Sequence, residues 1–184
     1  MFIQTQITPN PNSLKFLPGK TVSNSGSYEV TKKEDINNDL VRNILSINGV
    51  TGVFLGVDFI SVNKVENINW EEIKHIVISL INEFYKSGKK FVIDKGINET
   101  PSEENLIEVE KQIIKILDTK IRPAVARDGG DIKFKEFKNG IVTVQLQGSC
   151  SGCPSSIMTL KQGVQNLLYL YIKDVKDVKD VVAV

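Results

Sequence analysis

The chain has 184 residues, 41% of them hydrophobic, with 23 basic against 22 acidic side chains and a net charge of +1. That is ample apolar material for one large or two small packed domains, while the near-neutral balance, with no basic run interleaved with aromatics, argues against a nucleic-acid partner. No apolar stretch approaches the ~18 residues of a membrane span, and Met1-Phe2-Ile3-Gln4 lacks a basic-then-apolar leader pattern, so no membrane partner and a cytoplasmic location (bacterial cytosol, or the mature form of an organellar matrix protein) are expected.

In chain order, residues 2–7 alternate loosely and stop at Thr8-Pro9-Asn10-Pro11-Asn12-Ser13, a turn-forming cluster, which predicts a strand, a turn and a second short strand over 14–17. Residues 19–28, rich in Ser, Gly and Asn, read as loop. Thr31-Lys32-Lys33-Glu34 matches a capping box, and Ile36, Leu40, Val41, Ile44 and Leu45 give the helix after it an apolar face that ends at Asn48-Gly49. Residues 50–55 and 57–62 are β-branched and aromatic on either side of Gly56, the pattern of an antiparallel hairpin. Asn69 then caps a helix striped by Trp70, Ile73, Ile76, Val77, Leu80, Ile81 and Phe84, ending at Ser87-Gly88. His75, the only histidine, lies one position off that stripe and has no acidic or cysteine partner in its segment, so it reads as a helix-boundary side chain rather than a ligand.

The hydrophobic pattern fades over 86–99, although Phe91-Val92-Ile93 suits a short strand. A first domain over 1–87, a linker over 88–99 and a second domain over 100–184 are therefore expected. Thr100-Pro101-Ser102-Glu103 combines a capping box with proline at the first helical position, and Leu106, Val109, Ile113, Ile116, Leu117 and Ile121 carry that helix to Arg122-Pro123. A loop around Asp128-Gly129-Gly130-Asp131 leads into the alternating Ile132-Lys133-Phe134-Lys135. Asn139-Gly140 marks a hairpin turn, and Val142, Val144 and Leu146 alternate along the return strand. After a helix beginning at Pro154, valines in a repeated Asp-Val-Lys tail suit a last strand. The fold class is α+β in two small domains, the second being helix, hairpin, helix and strand, with a small sheet packed on two helices.

The return strand delivers the chain into Gly148-Ser149-Cys150-Ser151-Gly152-Cys153-Pro154, which holds the only two cysteines. A C-x-x-C pair can bite one metal ion, ligate iron in an iron–sulfur cluster, or cycle between dithiol and disulfide. Gly148 and Gly152 permit a tight loop. Pro154 and the spacing of Ile157, Leu160, Val164, Leu167 and Leu168 place the thiols at or just before a helix N-terminus, where the dipole favours anionic sulfur. A pair of inert buried cysteines is disfavoured, because the Gly, Ser and Pro flanks describe an exposed loop.

Ile121-Arg122-Pro123, Asp128-Gly129-Gly130-Asp131-Ile132 and the cysteine segment, in that order, resemble the C-terminal domain of the NifU family. Thr8-Pro9-Asn10-Pro11-Asn12-Ser13-Leu14-Lys15-Phe16, Gly49-Val50, Val53-Phe54 and Asp58-Phe59-Ile60 resemble the family's N-terminal Nfu domain. The resemblance implies an iron–sulfur cluster scaffold or carrier, not an enzyme. Cys150 and Cys153 would be the iron ligands, the cluster would usually be [4Fe-4S] with [2Fe-2S] the other type, and it would be held between two subunits and passed to apo acceptor proteins after loading by upstream assembly proteins. It assigns no ligation to Asp128, Gly129, Gly130 or Asp131, whose own pattern reads as a turn, with glycines at positive φ and aspartates bonded to the backbone.

Ligand count agrees with this implication: a cluster takes four thiolates, one chain has two, and a symmetric homodimer supplies four. The rival readings are a dithiol oxidoreductase and a zinc-binding module using the same pair. Against the oxidoreductase, a thioredoxin-like pair follows a strand of a βαβ unit, whereas here an antiparallel hairpin precedes the cysteines.

Overall fold

Alternating apolar residues pair into two sheets, one in each of the units Met1–Asn98 and Glu99–Val184 into which the chain divides. The computed structural model describes residues 2–93, 107–151 and 154–181, and the architecture is α+β.

In the first unit, β1 (Gln4–Ile7), β2 (Ser13–Leu17), β3 (Tyr28–Val30), β4 (Val50–Leu55) and β5 (Ile60–Lys64) form one sheet in the order β1-β2-β5-β4-β3, antiparallel throughout. Strand periodicity puts Leu14, Phe16, Val53, Leu55, Ile60 and Val62 on one face. There they are buried with Leu40, Val41 and Ile44 of α1 (Asp39–Leu45) and Ile73, Val77 and Ile81 of α2 (Trp70–Lys86). The proline–asparagine segment is a turn locked from outside. Asn12 N–H donates to Asn10 Oδ1 (2.9 Å), Trp70 Nε1 donates to the Pro11 carbonyl (3.0 Å), and Lys64 Nζ donates to Asn12 Oδ1 (3.2 Å).

Two expectations change here. The capping box at Thr31–Glu34 does not start the helix: Lys33–Asp35 is a 3-10 turn and Ile36 is extended. α1 starts later because Asn38 caps it, Oδ1 accepting from Val41 N–H (3.2 Å), while its amide also donates to the Val92 carbonyl (2.8 Å). That second bond shows that part of the expected linker belongs to the first unit. Val92 is buried, its N–H donates to the Val22 carbonyl (2.8 Å), and Ile93 bridges Ser23. Residues 94–99 and the expected capping box at 100–103 lie outside the described residues.

In the second unit, α3 (Glu108–Ile116) runs through a π-helical turn (Leu117–Ile121) into α4 (Arg122–Arg127), so the helix does not stop at Arg122-Pro123. Proline has no N–H to give and crowds the carbonyl four residues back. The wider turn, in which Arg122 N–H donates to the Leu117 carbonyl, resets the register and leaves Pro123 in the first turn of a fresh segment. Beyond it, β6 (Gly130–Lys138) and β7 (Ile141–Gly148) form the expected hairpin through Asn139 (φ 55°) and Gly140 (φ 82°). A bulge between Phe134 and Glu136 inverts the alternation, so that Phe137 joins the face of Ile132 and Phe134. α5 (Pro154–Tyr171) then returns the chain to β8 (Asp177–Val181), which pairs parallel with β7 in the order β6-β7-β8. Ile113, Leu117, Ile132, Phe134, Val144, Leu146, Val164 and Leu168 fill the core between sheet and helices.

Candidate functional site

β7 ends at Gly148 (φ 69°), and the four residues from Gly148 to Ser151 form a tight turn closed by Ser151 N–H donating to the Gly148 carbonyl (3.1 Å), with Ser151 Oγ donating to the same oxygen (2.8 Å). Cys150 is the third residue of that turn. α5 begins at Pro154, so the segment stands at the approach to a helix N-terminus. Cys153 and Gly152 lie outside the described residues.

The flanking Gly and Ser residues predict an exposed loop, but Cys150 is only 7% exposed and packs with the core of its unit. The reason lies twenty residues upstream. A Cβ on Gly130 would stand 2.8 Å from Cys150 Sγ and 2.5 Å from the Gln147 carbonyl, so the absence of a side chain there gives the thiol room against β6. Gly129 (φ 86°) makes the preceding bend, and its carbonyl accepts from Ser149 N–H (3.2 Å) while the Asp128 carbonyl accepts from the Ser149 hydroxyl. Of the two glycines, then, one supplies positive φ as expected and the other supplies space.

Asp131 does more than bond its own backbone. Its carboxylate is buried, with side-chain exposure of 6%. It accepts from Arg122 through two parallel bonds, Nε to Oδ1 and Nη2 to Oδ2, each 2.8 Å, and Oδ1 also accepts from Ile132 N–H (2.8 Å). Arg122 Nη1 reaches Asp118 Oδ1 (3.0 Å). The hydrogen bonds that Arg122 donates to Asp131 hold the guanidinium pKa above its ordinary value, against the opposing effect of burial. Arg122 pins α4 to the start of β6, Asp131 and Gly130 set that start, and Gly130 with Ser149 seats Cys150, so the three segments singled out in the sequence are one hydrogen-bonded unit.

The sequence pattern assigns Arg122 and Ser149 no role, and Gly130 and Asp131 only those of a turn, a glycine at positive φ and a backbone-bonded aspartate. The one available signal was an arginine and an aspartate, Arg122 and Asp131, nine residues apart on either side of a Gly-Gly turn, with Arg127 and Asp128 between them as equally plausible partners. His75 lies exposed on α2, in the other unit. Among the described residues no three His, Cys, Asp or Glu side chains gather as a metal site, and no helix is long and apolar enough to cross a membrane.

The topology does not exclude a dithiol oxidoreductase, contrary to expectation. β7, α5 and β8 form a βαβ unit, since β8 runs parallel to β7, and the cysteine turn sits at its strand-to-helix junction. Discrimination between the chemistries rests on other grounds.

Residues 3–88 match the family described as "Scaffold protein Nfu/NifU N terminal", and residues 113–179 match "NifU-like domain". The human protein named "NFU1 iron-sulfur cluster scaffold homolog, mitochondrial" is 45% identical over 183 residues, covering 98% of this chain and 72% of that protein. "NifU-like protein 4, mitochondrial" of Arabidopsis thaliana is 42% identical over 185 residues, covering 97% of this chain and 65% of that protein, so the chain spans a little under two thirds of its plant relative. Among solved structures, a NifU-like protein from Saccharomyces cerevisiae shares 30% identity over 52% of this chain and 87% of its own, with a TM-score of 0.47. A crystal structure of a Staphylococcus aureus protein shares 32% identity over 44% of this chain and 99% of its own, with a TM-score of 0.41. Two family matches that together take in most of the described residues, and a human relative matched over nearly the whole chain, lead to one conclusion: the chain belongs to the Nfu/NifU family of scaffold proteins and carries both its N-terminal and its NifU-like domain.

Proposed function

We propose that this chain is an iron–sulfur cluster scaffold or carrier in which Cys150 and Cys153 are the cluster ligands. The observation that carries the reading is the seating of Cys150: a soft donor held in a turn at the foot of α5 by three segments that all lie within the NifU-like domain match. Thiolate is the ligand iron–sulfur clusters take, and the chain has two cysteines where a cluster needs four. Two copies related by a twofold axis complete the set, with the cluster, [4Fe-4S] in this reading and [2Fe-2S] in its variant, as cargo between them. Ligands divided between two chains separate when the chains do, which suits handing the cluster to an apo acceptor after upstream assembly proteins have supplied it. Residues 100–184 would carry this activity, with no catalytic residue, in a reducing compartment such as the cytoplasm or an organellar matrix; both named relatives are described as mitochondrial.

Anaerobic reconstitution of the full chain with ferrous iron and sulfide, read by absorption, Mössbauer spectra and mass, tests the reading. The expected product is a dimer with one cluster per two chains, absent in both Cys150→Ser and Cys153→Ser. A loaded monomer with four irons, or disulfide reductase activity with a mixed disulfide trapped in Cys153→Ser alone, would overturn it in favour of another ligand set or of dithiol chemistry.

A further inference from the structure

We infer that Ser149 is a positioning residue that clamps the Cys150 thiol in a seated state, and that release of this clamp presents the sulfur to incoming cargo. The inference rests on the reading of Cys150 as a cluster ligand and adds the step that controls its access.

Three observations meet at this residue. Ser149 is 2% exposed, and both of its donors are spent on the segment before β6: the hydroxyl on the Asp128 carbonyl and the N–H on the Gly129 carbonyl (3.2 Å). Asp128 is the C-cap of α4, so its carbonyl is a helix-end acceptor with no partner inside the helix, and the Ser149 hydroxyl fills that need. The next residue, Cys150, is 7% exposed with Sγ against Gly130, close enough that a single added methyl would collide with it.

A sulfur in that position faces its own β6 backbone, whereas a ligand to a cluster divided between two chains has to face outward from each. Loading therefore requires the Gly148–Ser151 turn to lift. Ser149 is the hinge point, because both of its bonds tie the turn to the segment before β6; the Ser151 bonds to Gly148 stay within the turn. Lifting exchanges the two Ser149 bonds for bonds to water and exposes the Asp128 carbonyl, at small net cost because hydrogen bonds are traded rather than lost. Ligation then breaks the S–H bond and forms a sulfur–iron bond, with the proton released to solvent and no change in the oxidation state of sulfur. In the seated state the thiol is withheld from oxidants and from stray metal.

The test is alkylation of reduced, metal-free full-length protein by iodoacetamide under anaerobic conditions. Modification at Cys150 is read by peptide mass, and the rate is divided by that of the urea-unfolded chain. Wild type should be protected at Cys150, and Ser149→Ala should alkylate there roughly tenfold faster, the change expected when about one hydrogen bond is removed from a local opening. The acceleration should be the same at zero and at low, non-denaturing urea, because a local lift exposes little surface; a merely weakened fold would give an acceleration that grows with urea. An unprotected Cys150 in wild type, a Ser149→Ala rate within about twofold of wild type, or a urea-dependent acceleration would each overturn the clamp. Addition of ferrous iron and sulfide to the same two proteins separates this inference from the function it rests on: faster cluster uptake by Ser149→Ala supports both, while clamp behaviour without uptake by either protein would overturn the scaffold reading and the cargo-presenting role, leaving only a shield over a thiol.

Discussion

Replacement of Asp131 tests the claim that the segment before β6 is built around a buried carboxylate. The side chain is 6% exposed and satisfies Arg122 twice and Ile132 N–H once, while Arg122 keeps 38% of its side chain in water. Breaking a fully buried pair from one side costs about 3–5 kcal/mol. Because the abandoned guanidinium here rehydrates, roughly half of that, ~2 kcal/mol, is the expectation for Asp131→Asn, whose remaining oxygen still accepts from Ile132 N–H. Asp131→Ala strands that N–H as well, adding ~1–2 kcal/mol. Asp118→Asn serves as the control: its contact with Arg122 is an exposed i,i+4 pair and should be worth no more than ~0.5 kcal/mol. Urea denaturation by far-UV circular dichroism and hydrogen exchange measures all three, and at ~1–1.5 kcal/mol per molar urea for a unit this small, Asp131→Asn should unfold about 1.5 M earlier. The only tryptophan, Trp70, belongs to the first unit, so its fluorescence shows whether the loss is confined to the second. The reasoning fails if both Asp131 variants lie within ~0.5 kcal/mol of wild type, or if Asn costs as much as Ala.

Gly130→Ala should destabilise the second unit by at least ~2 kcal/mol and raise Cys150 alkylation, because the new methyl meets a carbonyl at 2.5 Å and the thiol at 2.8 Å; Gly163→Ala, with nothing within 4 Å inside α5, should instead gain up to ~1 kcal/mol, and equal effects at the two sites would refute the steric account. Tyr85 supplies a pH test. Burial pushes its phenol from 10.0 to about 12, and its hydroxyl donates to the Thr21 carbonyl (3.2 Å). Between those two values the unfolded chain has lost a proton that the native one keeps, so this contribution is constant below pH 10 and lost as pH rises through 12. Tyr85→Phe should lose less stability than wild type across that window in Trp70-monitored unfolding, and parallel curves would refute the assignment.

What was legible in the sequence was local. The Asn139-Gly140 hairpin, the α2 stripe at Ile73, Val77, Ile81 and Phe84 and the helix beginning at Pro154 each follow from spacing and turn chemistry within a few residues, whereas Ile76, expected on that stripe, is 47% exposed and Tyr85 is buried instead. What was not legible depended on distant partners. The start of α1 is set by Asn38 bonding both Val41 and Val92, 54 residues on, so the capping pattern at Thr31–Glu34 loses to a tertiary tether. β3 has three residues, too few for alternation to register, and is defined by its pairing with β4. The bulge beside Phe134 is visible only once Phe137 is seen on the core face. At the site the same rule holds: the cysteines announce themselves by residue type, while the burial of Cys150 depends on an absent side chain at Gly130.

The parallel pairing of β8 with β7 has a consequence for the chemistry as well as the topology. A thiol turn between a strand and the N-terminus of the crossover helix is a general arrangement for bringing anionic sulfur to a helix end, and it serves dithiol exchange and metal ligation equally. Geometry of the strand-to-helix junction therefore carries no preference between them, and the preference has to come from what surrounds it. A dithiol oxidoreductase needs its attacking sulfur exposed in the resting protein, since it must reach the disulfide of a large partner. Cys150 is instead 7% exposed, seated in the room that the missing side chain at Gly130 leaves and next to Ser149, which is bonded to the Asp128 and Gly129 carbonyls. A scaffold tolerates that seating and gains from it: the sulfur is needed only while a cluster is being received or held, and a seated thiol is spared oxidation in between.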